Sequence, residues 1–249
     1  MITIKSSREL NLMRDANKIV AETHEYLKEF IKPGISTQEI DKKGDEFIRQ
    51  HGAEPSFKGY RGYPASVCVS INDEVVHGIP SKDRILKEGD IVSLDIGTFY
   101  KGFNGDAART FPVGKVSKEA QKLIDVTRVS LKKGINKALY KSHLSDISNA
   151  VQSYVEKNNF SVVREYVGHG IGRDMHEPPQ IPNFGPPGHG PILKEGMTLA
   201  IEPMVNVGNY KVKTLDDNWT VVTKDGSLSA HFENTIAITK NGPEILSKV

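Results

Sequence analysis

Four carboxylates sit inside segments that otherwise read as apolar strands. Asp95 lies in IVSLDIG, Asp106 in FNGDAART, Glu202 in LAIEPM and Glu233 in HFENTIAI. One such residue alone is usually on a solvated strand face. Four together point the other way, because an isolated buried carboxylate is costly unless paired or bound to metal. The set could be a proton-sharing dyad, a glycosidase pair or a metal site. Histidines choose among these. His169 sits in Val167-Gly168-His169-Gly170-Ile171-Gly172, where small neighbours let backbone and ligand approach closely. His176 follows seven residues on, before Glu177-Pro178. Four carboxylates and one neutral imidazole carry four negative charges, which two divalent cations would cancel. Oxygen-rich ligands with one nitrogen suit Mn, Fe or Co, and Zn is compatible. Paired metals are a route to a hydroxide nucleophile.

The elements that must position these residues follow from periodicity and caps. Residues 6–31 predict a helix that Ser6 or Ser7 opens and Lys32-Pro33-Gly34 stops. Ser36 with Glu39 forms a capping box for a second helix to about Gln50. Strands are expected at 66–71, 90–100 and 105–113, the last two joined across Lys101-Gly102. Helices are expected at 118–140 and 145–158, then a strand at 161–167. A Gly/Pro-rich loop should fill 168–191, before strands at 198–206, 219–223 and 230–239.

Two helices then strands, twice over, predicts an internal duplication. Residues 86–95 read LKEGDIVSLD and residues 193–202 read LKEGMTLAIE. The first four letters are identical, and Asp95 and Glu202 fall at the same offset. No linker separates the halves, so 1–249 reads as one domain with halves of roughly 1–113 and 114–249.

Composition sets the outer bounds. A chain of 249 residues with 37% hydrophobic and 26% charged residues is globular. Lys+Arg 33 against Asp+Glu 31 argues against DNA binding as the main task. Cys68 is the one cysteine, so neither an internal disulfide nor a four-thiolate zinc site can form. The start MITIKSSREL has no secretory apolar run, and no segment approaches the roughly 18 apolar residues of a membrane span. The expectation is a cytoplasmic protein, for which the sequon at Asn218-Trp219-Thr220 has no meaning.

Gly168-His169-Gly170-Ile171-Gly172 with His176-Glu177, Asp95 and Asp106 eleven apart, Glu202-Pro203 and Glu233 together resemble the type I methionine aminopeptidases. The resemblance covers essentially the whole chain, including Asn72 through His77-Gly78-Ile79-Pro80 and Asn218-Trp219-Thr220. It implies the pita-bread fold: α/β (α+β), a pseudo-two-fold antiparallel sheet covered by two pairs of helices. It implies removal of the initiator methionine from nascent chains when the next residue is small, by a metal-bridged hydroxide. Two divalent ions (Co, Mn, Fe or Zn) are implied. Asp95 would chelate one metal, Asp106 and Glu233 would bridge, and His169 and Glu202 would complete the other. Glu202 would also handle the proton of the attacking water. His77 would contact the scissile nitrogen, and His176 the carbonyl oxygen. Tyr60, Tyr63, Cys68 and Trp219 would line the methionine pocket. Phe57 and Met175 are expected at the same substrate pocket; Phe57 stands where a cysteine often occurs in the family, and Met175 where an aromatic often precedes the second histidine. Asn72 and Ser229 match positions that bind a monovalent cation in some relatives. A monomer, acting on nascent polypeptides at the ribosome without DNA or membrane, is implied.

His231 lies two residues before Glu233, so on a strand it shares that face and would sit behind the ligands. His24, His51, His143 and His189 have no such company. Three other readings compete. A peptidase cleaving before proline shares the carboxylates but usually carries a large N-terminal domain, and about 94 residues precede Asp95. A non-catalytic relative binding nascent chains or ribosomes typically loses ligands. Nucleophilic catalysis by Cys68 lacks a recognisable motif.

Overall fold

Ser6 and Ser36 begin the first two helices by the same device. In the computed structural model, which describes residues 1–248, each serine accepts from the backbone N–H three residues on. The glutamate there, Glu9 or Glu39, accepts from the serine's own N–H in return. The helices are α1 (Ser7–Lys28) and α2 (Thr37–Gln50). Strands follow: β1 (Glu54–Pro55), β2 (Val67–Ile71), β3 (Glu74–Val76), β4 (Ile91–Tyr100) and β5 (Phe103–Pro112). A second helix pair, α3 (Lys118–Ile135) and α4 (Leu144–Lys157), precedes β6 (Ser161–Val162), β7 (Gly168–Gly170) and β8 (Glu177–Ile181). The chain continues through β9 (Thr198–Ile201), β10 (Met204–Asn206), β11 (Val212–Thr214) and β12 (Val221–Thr223). It ends in β13 (Ser229–His231), β14 (Asn234–Thr239) and β15 (Gly242–Ile245).

Every strand pairing among the described residues is antiparallel. In the first half β4 is flanked by β5 on one side and by β1 and β2 on the other. In the second, the order is β15-β14-β9-β7-β8. Period-two alternation gives each long strand two different faces. Val92, Leu94 and Ile96 of β4 join Ala107 of β5 in a core with Val20, Leu27, Ile40 and Ile48 of α1 and α2. Each such fully buried aliphatic side chain contributes roughly 1.5–3 kcal/mol relative to exposure. The other face of β4 and β5 carries Ser93, Asp95, Asp106 and Thr110. The second helix pair makes an equivalent core, with Leu123, Leu131, Ile147 and Val151 against Leu199, Ile201 and Ile236.

The strands expected at 198–206 and 230–239 each break, at Glu202-Pro203 and Phe232-Glu233, and their two parts join different sheets. Three further expectations need correction. The third helix stops at Ile135, not Tyr140, because the chain is diverted to pair with Leu193: Lys141 N–H donates to the Leu193 carbonyl, and Leu193 N–H to Ser142. The strand expected over 161–167 is paired only at Ser161–Val162, against Val205 and Asn206. The stretch 168–191 is not all loop, since β7 and β8 pair within it and β7 also pairs with β9. Glycine and proline there marked close approach, not absence of structure: a Cβ on Gly168 or Gly170 would collide with the Ala200 or Pro178 carbonyl.

Candidate metal centre

The register of the β4–β5 hairpin brings Asp95 and Asp106 to one face. Asp95 pairs with Ala108 and Asp106 pairs with Gly97. Residues opposite each other, and residues two apart, share a face, so the acids are diagonal neighbours. Each faces a residue with little or no side chain, which leaves the space between them open.

The second half supplies the rest. His169 of β7 pairs with Ala200 of β9, two residues before Glu202. Asn234 pairs with Ile201, so Glu233 and Glu202 lie side by side just beyond that ladder. Glu233 N–H donates to the Ala108 carbonyl at 2.9 Å, stitching this strand end to β5. Arg109, largely buried, reinforces the joint by donating to the carbonyls of Glu233 and Ser247 and to Asn234 Oδ1.

The assembled groups are buried and short of partners. Asp106, His169 and Glu233 are 4%, 7% and 2% exposed. Asp95 Oδ1, Asp106 Oδ1 and Glu233 Oε1 are buried with no hydrogen-bond partner. Such orphaned oxygens carry a large desolvation penalty. Burial pushes all four carboxyls above their ordinary range; for Asp106, Glu202 and Glu233 their mutual repulsion adds to it.

His169 makes the strongest case for a cation. Its Nδ1 lies 2.9 Å from the Gly170 carbonyl, which can only accept, so Nδ1 carries the proton. Burial, then the neighbouring His176, lowers its pKa to about 3, so the ring is neutral. The Nε2 lone pair therefore points at Glu202 Oε1, 3.5 Å away, and Asp106 Oδ2, 3.9 Å away. A lone pair facing two carboxyl oxygens is stable only with a proton or a cation between them, and a cation serves all of these groups at once. Hydrogen-bonding the far ring nitrogen is also how protein histidines are commonly set to bind metal. One ligand atom each from Asp106, His169 and Glu233 lies within 4.8 Å of the others, and the same holds for Glu202, His231 and Glu233. The donor set fits a divalent cation.

Above this floor is a cavity of about 310 Å³. Asp95, Asp106, His169, Glu202 and Glu233 line its base, while Phe57, Tyr60, Tyr63, Cys68 and Trp219 contribute to its wall. Tyr63 and Trp219 meet edge to face at 5.1 Å, and Tyr63 donates to the Gly78 carbonyl. Burial pushes the Cys68 thiol well up, with Asp95 adding to it, so the sulfur is a neutral wall atom and not a nucleophile. His77 and His176 flank the cavity. His77 holds a left-handed backbone at φ +61, a sparsely populated state for a non-glycine residue that concentrates at functional sites. Burial lowers its pKa to about 4. His176 Nδ1 lies 2.9 Å from the Tyr60 hydroxyl, and its ring centroid is 4.2 Å from that of His169.

A model of metallopeptidase family M24 matches residues 11–240. The chain belongs to the M24 metallopeptidases. It is 60% identical over 249 residues to the methionine aminopeptidase of Clostridium perfringens, with each chain fully covered. It is 59% identical, again over the full length of both, to methionine aminopeptidase 1 of Bacillus subtilis. The crystal structure of the methionine aminopeptidase from Thermotoga maritima superposes with a TM-score of 0.99 at 48% identity, covering 100% of both chains. The fold of this M24 chain is thus the α/β pita-bread arrangement, and its buried carboxylate–histidine cluster is a divalent-metal site of that family's kind.

All five expected ligands of the M24 site converge, as do His77 and His176. Met175, expected at the substrate pocket, does not line the main cavity: it and Phe57 both crowd Gly97, and it lines a neighbouring depression with Tyr60 and His176. Asn72 and Ser229 meet directly through a 2.8 Å bond from Ser229 N–H to the Asn72 carbonyl. His231 is fully buried with Nε2 unpartnered, 3.9 Å from Glu202 Oε2. Burial lowers its pKa to about 3. His24 is buried behind β5, its Nε2 bonded to the Ala107 carbonyl, with no part in the cavity. Sequence reasoning missed Tyr166, whose ring meets His77 edge to face at 5.7 Å, and Glu165 and Arg61, which also border the cavity. They carry no motif of their own. No helix among the described residues is long and apolar enough to cross a membrane.

Proposed function

We propose that this M24 metallopeptidase removes N-terminal methionine from nascent polypeptides whose second residue is small. The reading is supported most by His169, whose unprotonated Nε2 faces Asp106 and Glu202 at the base of a cavity with apolar walls. Two divalent ions, from among Mn, Fe, Co and Zn, would be held by Asp95, Asp106, His169, Glu202 and Glu233. When bound, they supply Lewis acidity at the scissile carbonyl and a nucleophile at neutral pH.

The chain's own residues do the rest. Glu202, at the edge of the ligand set, accepts the proton released as the nucleophile attacks. His176, held at Nδ1 by Tyr60, presents Nε2–H to the carbonyl oxygen as charge develops there. His77 meets the scissile nitrogen. Tyr60, Tyr63, Cys68, Trp219 and Phe57 enclose the methionine side chain, with sulfur and aromatic edges that suit a thioether. The free amine lies at the Asp95 end, which restricts cleavage to terminal residues.

We further infer a single duplicated domain, halves near 1–113 and 114–249, acting as a cytoplasmic monomer on chains leaving the ribosome. A monovalent cation would be bound through backbone oxygens of Asn72 and Ser229, two residues joined by the bond from Ser229 N–H to the Asn72 carbonyl. The deciding experiment measures release of methionine from Met-Ala-Ser across Mn, Fe, Co and Zn, with bound metal counted on the same sample. Full turnover after exhaustive chelation would overturn the reading.

A further inference from the structure

Lys5 is a buried cation that the chemistry above does not use. Its ammonium lies 2.5 Å from Glu177 Oε2, and the two side chains are only 2% and 8% exposed. Its backbone N–H donates to the Gly196 carbonyl at 2.8 Å. The slot that holds it is shaped for it. A Cβ on Gly172 would strike Glu177 Oε1 and lie 2.5 Å from Lys5 Cε; one on Gly196 would lie 2.6 Å from the Lys5 carbonyl oxygen. Two glycines thus clear the path of the N-terminal strap.

Glu177 is a strategic place to hold. It pairs with Gly170 across the β7–β8 ladder, immediately after a register shift. His169 precedes Gly170, and His176 precedes Glu177. The ion pair therefore ties down the root of the 171–176 loop, which leaves β7 one residue after His169 and ends on His176. Two other grips act on the same loop: Asn104 Nδ2 donates to the carbonyls of Gly172 and Arg173, and Tyr60 meets the His176 ring. A buried ion pair replaced by apolar groups of similar volume commonly leaves stability unchanged or improved. Stability alone does not account for a lysine drawn from the chain terminus into this slot.

We propose that Lys5 is a positioning residue: through Glu177 it fixes the backbone at His176 in the orientation that turnover requires. This rests on the aminopeptidase reading, and the test separates the two.

Three variants of the full-length, metal-loaded protein are compared: Lys5→Met, Glu177→Gln, and Lys5→Met combined with Glu177→Met. On Met-Ala-Ser, Lys5→Met is expected to lose at least tenfold in kcat, with KM and bound metal within twofold of wild type. Glu177→Gln, which keeps an acceptor for the ammonium, should lose less. The double variant should regain the melting temperature but not kcat. In 15N-histidine spectra recorded without substrate, the His176 ring signals should move in Lys5→Met while those of His24 stay. That arm stands even if wild-type protein fails to cleave Met-Ala-Ser, an outcome that would count against the aminopeptidase reading alone. Wild-type kcat in folded Lys5→Met, or unmoved His176 signals, overturns the proposal. So does recovery of kcat together with stability in the double variant, or failure of all three variants to fold, since either makes the pair purely structural.

Discussion

The Tyr60 hydroxyl lies 2.9 Å from Nδ1 of His176, and the two rings stack with centroids 5.4 Å apart. A phenol that donates here leaves the imidazole proton on Nε2, the nitrogen free to serve a developing oxyanion. Partial burial and the nearby Arg61 both lower the His176 pKa. Tyr60→Phe keeps the ring and the apolar wall but removes the donor. Losing one such hydrogen bond costs about 1.4 kcal/mol, or tenfold. The expected result is kcat down about tenfold with KM little changed, read by steady-state kinetics on Met-Ala-Ser.

Removing the imidazoles themselves should cost more. Neither His77 nor His176 belongs to the ligand set, so their loss should spare the metal. Deleting a single oxyanion donor lowers kcat by roughly 10²–10³. His176→Ala should fall in that range, and His77→Ala should also lose turnover. Both should retain wild-type metal stoichiometry by elemental analysis. Loss of metal in either variant would mean that the residue is a ligand.

The buried carboxylates make the metal-free protein sensitive to base. Burial raises their native pKa values, that of Asp95 to about 7, so above the unfolded value of about 4 the native state holds protons that the unfolded chain has lost. Stability then falls as pH rises. His24, His169 and His231, lowered to about 3, and His77, lowered to about 4, act with the opposite sign. Their contribution is complete above pH 6.5 and is lost only on acidification, so it cannot mask the trend. The melting temperature of chelated protein should drop between pH 6.5 and 8.5. Added Mn should restore it, most strongly at the high end, because metal competes with protons. A flat profile would mean that the carboxylates are not crowded as described.

What the sequence disclosed, and what it hid, divides along physical lines. Asp95 and Asp106 were legible because a hairpin with a two-residue turn has one register, and that register fixes a face. The helix starts at Ser6 and Ser36 were legible because capping boxes are local. The helix end at Ile135 was not, since a long-range bond to Leu193 sets it. The short strands carrying His169 and Glu177 were hidden because their glycines and prolines, loop signals locally, serve tight backbone packing against Ala200 and Pro178. Lys5 carried no signal at all: its partner lies 172 residues away, and only the fold brings them together.

Gly97 ties the metal floor to the methionine wall. It stands opposite Asp106 in the hairpin, and a Cβ there would lie 2.6 Å from the Phe57 ring and 2.9 Å from the Met175 methyl group. Neither neighbour can stay where it is if that position gains a methyl group. Phe57 is the one on the cavity wall, so relief of the clash alters the space for methionine before it disturbs the metal ligands. Overpacking of this kind costs roughly 1–3 kcal/mol. Gly97→Ala should therefore raise KM for Met-Ala-Ser by about tenfold or more while metal content stays at the wild-type level. Adding Phe57→Leu, which frees the space, should recover most of the loss. If the double variant stays as poor as the single one, the ring is not what the new methyl group displaces.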